Sequence, residues 1–125
     1  GCLAPEGKLP KPSSHPRAYG NFTRGIGHYS RDEKLISLEK AIGKRTQVAA
    51  NNLHILKRGE LKTGSYADII IFEPATVNDK ATYEKPHQYS TGMIDVWVNG
   101  VQVLKNGEHT NAKPGRFVKG PGFKK

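Results

Sequence analysis

The uninterrupted apolar run Ile69-Ile70-Ile71-Phe72 constrains the fold of this chain more than any other feature. Successive side chains of a strand point to opposite faces, so a run without polar alternation is typical of a strand covered on both faces. Pro74 ends the run because proline donates no hydrogen bond to a sheet. The sequence therefore predicts a buried strand that needs a layer of structure on each side.

The supply of core residues is small for such a strand. Leu, Ile, Val and Phe make up 27 of the 125 residues, just above the roughly 20% below which disorder becomes common. We expect three to five strands and two or three helices that do not complete their own core, with a further layer contributed from outside. Since the sequence begins with Gly1 rather than Met, we expect a piece of a longer protein.

Turn residues and periodicity place the other elements. Asn99-Gly100 separates two alternating segments, 94–98 and 101–104, and predicts a two-residue hairpin with a type I′ turn. Asn106-Gly107 marks another turn. Helices are expected over 22–29, from the N-cap Ser37 to Arg45, and over 48–53.

Residues 1–20 are expected to form a loop without a helix, because prolines and glycines recur throughout this segment. In the segment expected to be helical after this loop, the apolar Phe22, Ile26 and Tyr29 have helical spacing. The residues from Pro114 to Lys125 predict a tail that frays.

The chain is basic, with 20 Lys and Arg against 11 Asp and Glu. Such a charge attracts nucleic acid, although the basic residues are dispersed and lack the aromatic spacing of an RNA-binding sheet. A small basic nucleic-acid-binding module stays open as an alternative. The lone Cys2 excludes an internal disulfide, and no apolar run is long enough to span a membrane. These features favour a cytoplasmic protein without a membrane partner.

No pair among the five histidines has a spacing that brings two imidazoles onto one metal ion. His15 lies in the most suggestive position, beside Pro16 and Arg17. Pro16 stiffens the chain before Arg17, and a preorganised guanidinium suits bidentate binding of a carboxylate. The alternative is that Arg17 pairs with a structural carboxylate of the chain.

The segment His15-Pro16-Arg17-Ala18-Tyr19-Gly20-Asn21-Phe22-Thr23-Arg24 resembles the HPRxYGxFxR signature of N-acyl-D-amino-acid deacylases, the D-aminoacylase branch of the amidohydrolase superfamily. Residues 37–46 and 58–72 resemble the superfamily segment that joins the last barrel helices to a small β-domain. Further likeness to the D-aminoacylase branch lies in residues 81–89, 91–92, 98–100, 107–110 and 114–116.

This resemblance implies a carboxy-terminal fragment of mixed fold, α/β followed by β. Residues 1–58 would form the end of a (β/α)8 metal-dependent hydrolase barrel. Residues 59–125 would form part of a small β-sandwich with a basic tail, and its missing strands would come from the absent amino-terminal region. The metal ligands and the last-strand Asp would lie before Gly1, so the chain alone would bind no metal and be inactive.

In the complete enzyme the resemblance implies that zinc-activated water attacks the amide of an N-acyl-D-amino acid, with the last-strand Asp as general base. Arg17 would bind the substrate α-carboxylate, while His15 and Tyr19 would shape the loop around it. No catalytic residue and no metal ligand is assigned to this chain. A stable scaffold piece without activity is a third interpretation.

Overall fold

The computed structural model describes residues 15–123, which divide into two compact units. The first unit contains the described residues up to Ser37 together with Glu73–Gly92, and the second contains Leu38–Phe72 and the described residues from Met93 onward. The expectations for Cys2 and for the first fourteen residues of the predicted loop lie outside the described residues. Between residues 15 and 123, no helix has the length and apolar character needed to cross a membrane.

The first unit begins with helix α1, Arg17–Ile26, which runs into a π-helical segment, Gly27–Asp32. The expected helix is present, but it starts five residues earlier than predicted. The expectation that residues up to 20 contain no helix is therefore wrong for residues 17–20. Pro16 is the N-cap of α1, with a φ of −50°; at a helix start its missing N–H would have had no partner in the helix.

The buried face of α1 and the π-helical segment consists mainly of small residues. The members of this buried face are Gly20, Thr23, Gly25, Ile26, Gly27 and Ser30. Of the apolar residues with helical spacing, Ile26 is buried, whereas Phe22 and Tyr29 are 66% and 42% exposed. The small side chains let the helix backbone approach the 77–79 segment closely: a Cβ on Gly20 would lie 2.7 Å from the Cβ of Asp79.

Arg31 holds the 74–77 loop of the same unit. One guanidinium nitrogen, Nη1, lies 2.9 to 3.2 Å from the carbonyl oxygens of Pro74, Ala75 and Val77. The other two nitrogens donate to the carboxylate of Asp32 at 2.7 and 3.1 Å. The hydrogen bonds from Arg31 lower the pKa of Asp32. This arginine therefore closes a loop that has no regular secondary structure of its own.

The second unit contains two helices and one antiparallel sheet. Its elements are α2 (Leu38–Arg45), α3 (Gln47–Asn52), β1 (Ile69–Phe72), β2 (Met93–Val98), β3 (Val101–Lys105) and β4 (Glu108–His109). The sheet order is β1-β2-β3-β4. Both helices lie where the sequence predicts them, and the strands fall within the predicted number.

The two Asn-Gly dipeptides form the predicted turns. Asn99 and Gly100 have φ values of 51° and 80°, and Asn106 and Gly107 have values of 50° and 81°. Positive φ at both central residues defines the type I′ turn, whose twist matches that of the adjoining strands. The predicted β2–β3 hairpin and the predicted turn at Asn106-Gly107 are thus confirmed.

The side chain of Asn99 ties its turn to the rest of the second unit. Its Oδ1 accepts a hydrogen bond from Arg58 at 2.6 Å, and its Nδ2 donates to the Pro114 carbonyl at 2.9 Å. Asp68 accepts a bond from the Asn99 backbone N–H at 2.8 Å and also pairs with Arg58. This turn is therefore fixed by contacts from three other parts of the chain.

Strand β1 lacks the expected cover within the described residues. Ile70 and Ile71 are 47% and 45% exposed. Adjacent residues of a strand point to opposite faces, so apolar surface is open on both sides. The expectation of a strand covered on both faces is not met by residues 15–123, whereas the expected deficit of core is observed.

Candidate functional site

The candidate site lies at the start of helix α1 in the first unit. Arg17 is the first residue of this helix, and its side chain is exposed. Within residues 15–123 its guanidinium makes no hydrogen bond or ion pair. The alternative of a structural carboxylate partner for Arg17 therefore finds no support in the described part of the chain.

Most other arginines of the described residues have oxygen partners. Those with such partners are Arg24, Arg31, Arg45 and Arg58, which bind carboxylate, carbonyl or side-chain amide oxygens. Arg116 is like Arg17 in having none between residues 15 and 123. A cation in the first helical turn is disfavoured by the helix dipole, while an anion there is favoured. The start of α1 is therefore suited electrostatically to a negatively charged group.

His15 holds the start of this helix. Its Nδ1 accepts a hydrogen bond from the Arg17 backbone N–H at 3.1 Å. Its Nε2 lies 3.0 Å from the Tyr83 hydroxyl, and the two rings meet edge to face with centroids 5.1 Å apart. Because Nδ1 accepts this hydrogen bond it carries no hydrogen, and the ring hydrogen is therefore on Nε2. His15 therefore donates to the Tyr83 hydroxyl.

Tyr19 is held by the same part of the chain as His15. Its ring meets those of His87 and Tyr89 edge to face, with centroid distances of 5.7 and 5.6 Å. The Ser90 hydroxyl is 3.4 Å from the Tyr19 carbonyl and 2.6 Å from the Thr23 hydroxyl. The 83–90 segment thus contacts both residues predicted to shape the loop around Arg17.

Sequence reasoning assigned no role in this site to Tyr83, Tyr89 or Ser90. The available signal was the 81–89 segment, whose likeness to the deacylase branch is as specific as that of residues 15–24. Nothing in the segment identifies its partners, because the residues it contacts lie more than 60 positions earlier in the chain.

Arg24, the other charged residue of α1, is paired. Arg24 lies 3.3 Å from Asp79, whose side chain is only 8% exposed. The pKa of Arg24 is raised above its usual value, first by its interaction with the Tyr29 hydroxyl and then by Asp79. Arg24 therefore stays protonated and is occupied, in contrast to Arg17.

The described residues do not fit a metal ion by themselves. Within residues 15–123, no group of three or more His, Cys, Asp and Glu side chains is close enough to hold one. His15 and His87, the two histidines near the candidate site, contact aromatic rings. A metal centre would require ligands from elsewhere.

The second unit contains an open cavity of about 930 Å³. Its lining is formed by residues 54 and 56–58, Tyr66 and residues 117–121. Arg58 stacks on the Tyr66 ring at 4.2 Å and also pairs with Asp68. This lining is apolar and basic and brings no acid, base and nucleophile together.

Comparison with known proteins supports the resemblance drawn from the sequence. Residues 10–104 match the model of the amidohydrolase family. An N-acyl-D-aspartate deacylase of Alcaligenes xylosoxydans xylosoxydans is 46% identical over 108 residues, covering 86% of this chain and 22% of that protein. A D-aminoacylase of the same organism is 42% identical over 104 residues, covering 83% and 22%. The chain thus spans about a fifth of the length of these curated relatives.

Solved structures agree with the sequence relatives. A crystal structure of D-aminoacylase is 41% identical with a TM-score of 0.79, covering 82% of this chain and 22% of that one. An N-acyl-D-glutamate deacylase of Bordetella bronchiseptica, complexed with zinc and a phosphonate mimic of the tetrahedral intermediate, is 40% identical with a TM-score of 0.73. It covers 74% of this chain and 20% of that one.

The matches lend no support to a nucleic-acid-binding module. The relatives are hydrolases that act on amide bonds, and the family match extends over most of both units. The chain therefore belongs to the amidohydrolase family.

Proposed function

We propose that this chain is the carboxy-terminal part of a metal-dependent deacylase that cleaves N-acyl-D-amino acids to a carboxylate and a free D-amino acid. The named activities of the relatives support this assignment. Residues 1–58 would belong to the end of the barrel, and residues 59–125 to a sandwich completed by other strands. The metal, zinc in one related structure, supplies an activated water when bound. Its ligands would lie outside residues 15–123.

The role of this chain in the reaction would be to hold the substrate by its α-carboxylate. The observation that carries this proposal is the guanidinium of Arg17, which has no partner within the described residues and lies at the start of a 10-residue helix. A guanidinium donates two parallel hydrogen bonds to a carboxylate, and the helix dipole adds to the attraction.

The neighbours of Arg17 support this role by limiting its freedom. Pro16 restricts the backbone just before Arg17, and His15 accepts a hydrogen bond from the Arg17 backbone N–H. Tyr19 is packed against two aromatic rings. A side chain on such a backbone loses less conformational entropy when it binds a substrate, so more of the interaction energy appears as affinity.

Substitution of Arg17 in the full-length enzyme tests the proposal. Arg17→Lys keeps the positive charge but loses the planar group that donates two parallel hydrogen bonds. Arg17→Ala removes both the charge and the donors. Since a hydrogen bond to a charged group contributes about 1.5 to 3 kcal/mol, kcat/KM on an N-acyl-D-amino acid should fall about 10- to 150-fold for Arg17→Lys and at least as far for Arg17→Ala.

The control substrate is an N-acyl amine without the carboxylate, and the control variant is Arg116→Lys. The N-acyl amine should be a poor substrate for the parent enzyme, and its turnover should change little on substitution of Arg17. Arg116→Lys should leave both substrates unaffected. Equal losses on the two substrates in the Arg17 variants would contradict carboxylate binding by Arg17.

A further inference from the structure

Tyr83 combines an exposed ring with an engaged hydroxyl. The residue is 75% exposed, yet its hydroxyl lies 3.0 Å from His15 Nε2. On the other side of the same imidazole, Nδ1 accepts the Arg17 amide at 3.1 Å. Two consecutive hydrogen bonds therefore link the Tyr83 hydroxyl to the first residue of α1.

The loop that carries Tyr83 is held by several hydrogen bonds. The Thr82 backbone N–H donates to the Lys85 carbonyl at 3.1 Å, and the Lys85 N–H donates to the Thr82 hydroxyl at 3.0 Å. The Gln88 side-chain amide donates to the carbonyls of Lys80 and Lys85 at 2.7 and 2.8 Å. Tyr83 thus projects from a loop that these hydrogen bonds close.

We propose that Tyr83 is a positioning residue that orients Arg17 through His15. This inference rests on the proposed role of Arg17 in carboxylate binding. The Tyr83 hydroxyl accepts the Nε2 hydrogen of His15 and so selects the neutral tautomer with a lone pair on Nδ1. That lone pair accepts the hydrogen bond from the Arg17 backbone N–H and so sets the direction in which the Arg17 side chain projects from the helix. Tyr83 itself touches no reacting atom.

Loss of the Tyr83 hydroxyl would act on Arg17 in a defined way. Without it the imidazole is free to turn, or to place its hydrogen on Nδ1, where it can no longer accept the amide. The ring of Tyr83 would remain against His15 in Tyr83→Phe, so the packing is preserved. The expected defect is therefore in the orientation of the Arg17 side chain, and the stability of the fold should not change.

The test is Tyr83→Phe in the full-length enzyme, measured on an N-acyl-D-amino acid and on the corresponding N-acyl amine. Since a neutral hydrogen bond contributes about 0.5 to 1.5 kcal/mol, kcat/KM on the carboxylate substrate should fall about 2- to 12-fold. Turnover of the amine should stay unchanged. Tyr66→Phe, the same chemical change in the second unit, should alter neither substrate.

A double substitution isolates the coupling to Arg17. In the Arg17→Ala background, Tyr83→Phe should have no further effect, because there is no guanidinium left to orient. In the His15→Asn background it should also have no effect, since the imidazole that carries the link is absent. Nitrogen NMR of the imidazoles should show a His15 tautomer protonated on Nε2 in the parent enzyme and a loss of this preference in Tyr83→Phe.

The outcomes separate this inference from the proposed function. A carboxylate-specific loss in Arg17→Ala without any loss in Tyr83→Phe would overturn the positioning role and leave carboxylate binding intact. Equal losses of Tyr83→Phe on both substrates, or a further loss in the Arg17→Ala background, would also overturn it. If Arg17→Ala shows no dependence on the carboxylate, the proposed function fails first and the role of Tyr83 fails with it.

Discussion

Gly27 faces Val77 so closely that an added Cβ would stand 2.3 Å from the Val77 carbonyl oxygen. This distance is far below any real contact, and the atom that would be struck belongs to the backbone. Val77 is itself fully buried. The π-helical segment and the 77–79 segment therefore meet backbone to backbone, which only a residue without a side chain allows.

Gly27→Ala should destabilise the protein by about 1 to 3 kcal/mol, because overpacking at this contact forces the backbone to shift. Gly43→Ala is the matched control, since Gly43 lies in α2 with nothing within 4 Å of its added Cβ. That change should stabilise the protein by up to about 1 kcal/mol. Denaturant unfolding of both variants checks the prediction, and equal effects would contradict it.

Removal of the Asn99 side chain should destabilise the protein more than removal of the Asn106 side chain. Both residues have the same positive φ, so replacement by Ala introduces similar backbone strain at each. Asn99 alone also loses its bonds to Arg58 and the Pro114 carbonyl. Asn99→Ala should therefore lower the free energy of unfolding by about 1 to 3 kcal/mol more than Asn106→Ala does, as measured by denaturant unfolding. Equal losses would show that these bonds contribute nothing.

The pair formed by Arg31 and Asp32 should contribute to stability only above acid pH. The hydrogen bonds from Arg31 lower the pKa of Asp32 below its ordinary value of 3.8. A group whose pKa is lowered in the folded state stabilises that state fully above its unfolded pKa, and the contribution is lost as the pH falls through the folded value. The advantage of the parent protein over Asp32→Asn should thus be constant near neutrality, begin to shrink near pH 3.8, and be lost as the pH falls through the lower pKa of the folded state.

An NMR titration gives the second measurement for this pair. In Arg31→Met, the pKa of Asp32 should return towards 3.8, because the donor that lowers it is gone. An unchanged titration of Asp32 in Arg31→Met would contradict the assignment of the shift to Arg31.

The 125-residue chain by itself should bind no stoichiometric zinc and turn over no N-acyl-D-amino acid. Residues 15–123 contain no set of three close metal-binding side chains, and structural zinc sites take four protein ligands. Metal analysis after dialysis, together with an assay of amide cleavage, checks both parts. One tightly bound zinc per chain would refute the assignment of the ligands to other residues.

The elements predicted correctly are those whose cause is local. Asn99 and Asn106 each precede a glycine, and an Asn-Gly pair determines its turn without help from distant residues. The register of the apolar positions in α2 likewise lies within one segment. The carboxylate-binding role of Arg17 stays a prediction, drawn from a guanidinium next to a proline and from the motif that its neighbours in sequence form.

The features that escaped prediction depend on long-range contacts. One such feature is the inward position of the small residues of α1, since the sequence marks this helix only by the spacing of its apolar residues. The partner of this helix is a backbone segment some 50 positions later, so the glycines face inward instead. The link from Tyr83 to His15 spans 68 positions and has no periodic signature.

The hydrogen bond between Thr23 and Ser90 joins residues 67 positions apart. A ribosome adds about 5 to 20 residues per second, so Thr23 is made about 3 to 13 s before Ser90. Isolated helices of 10 residues are marginal in water, and the glycines of α1 weaken it further. During translation this segment should therefore stay largely unfolded until the residues that pack against it, including Ser90, have emerged.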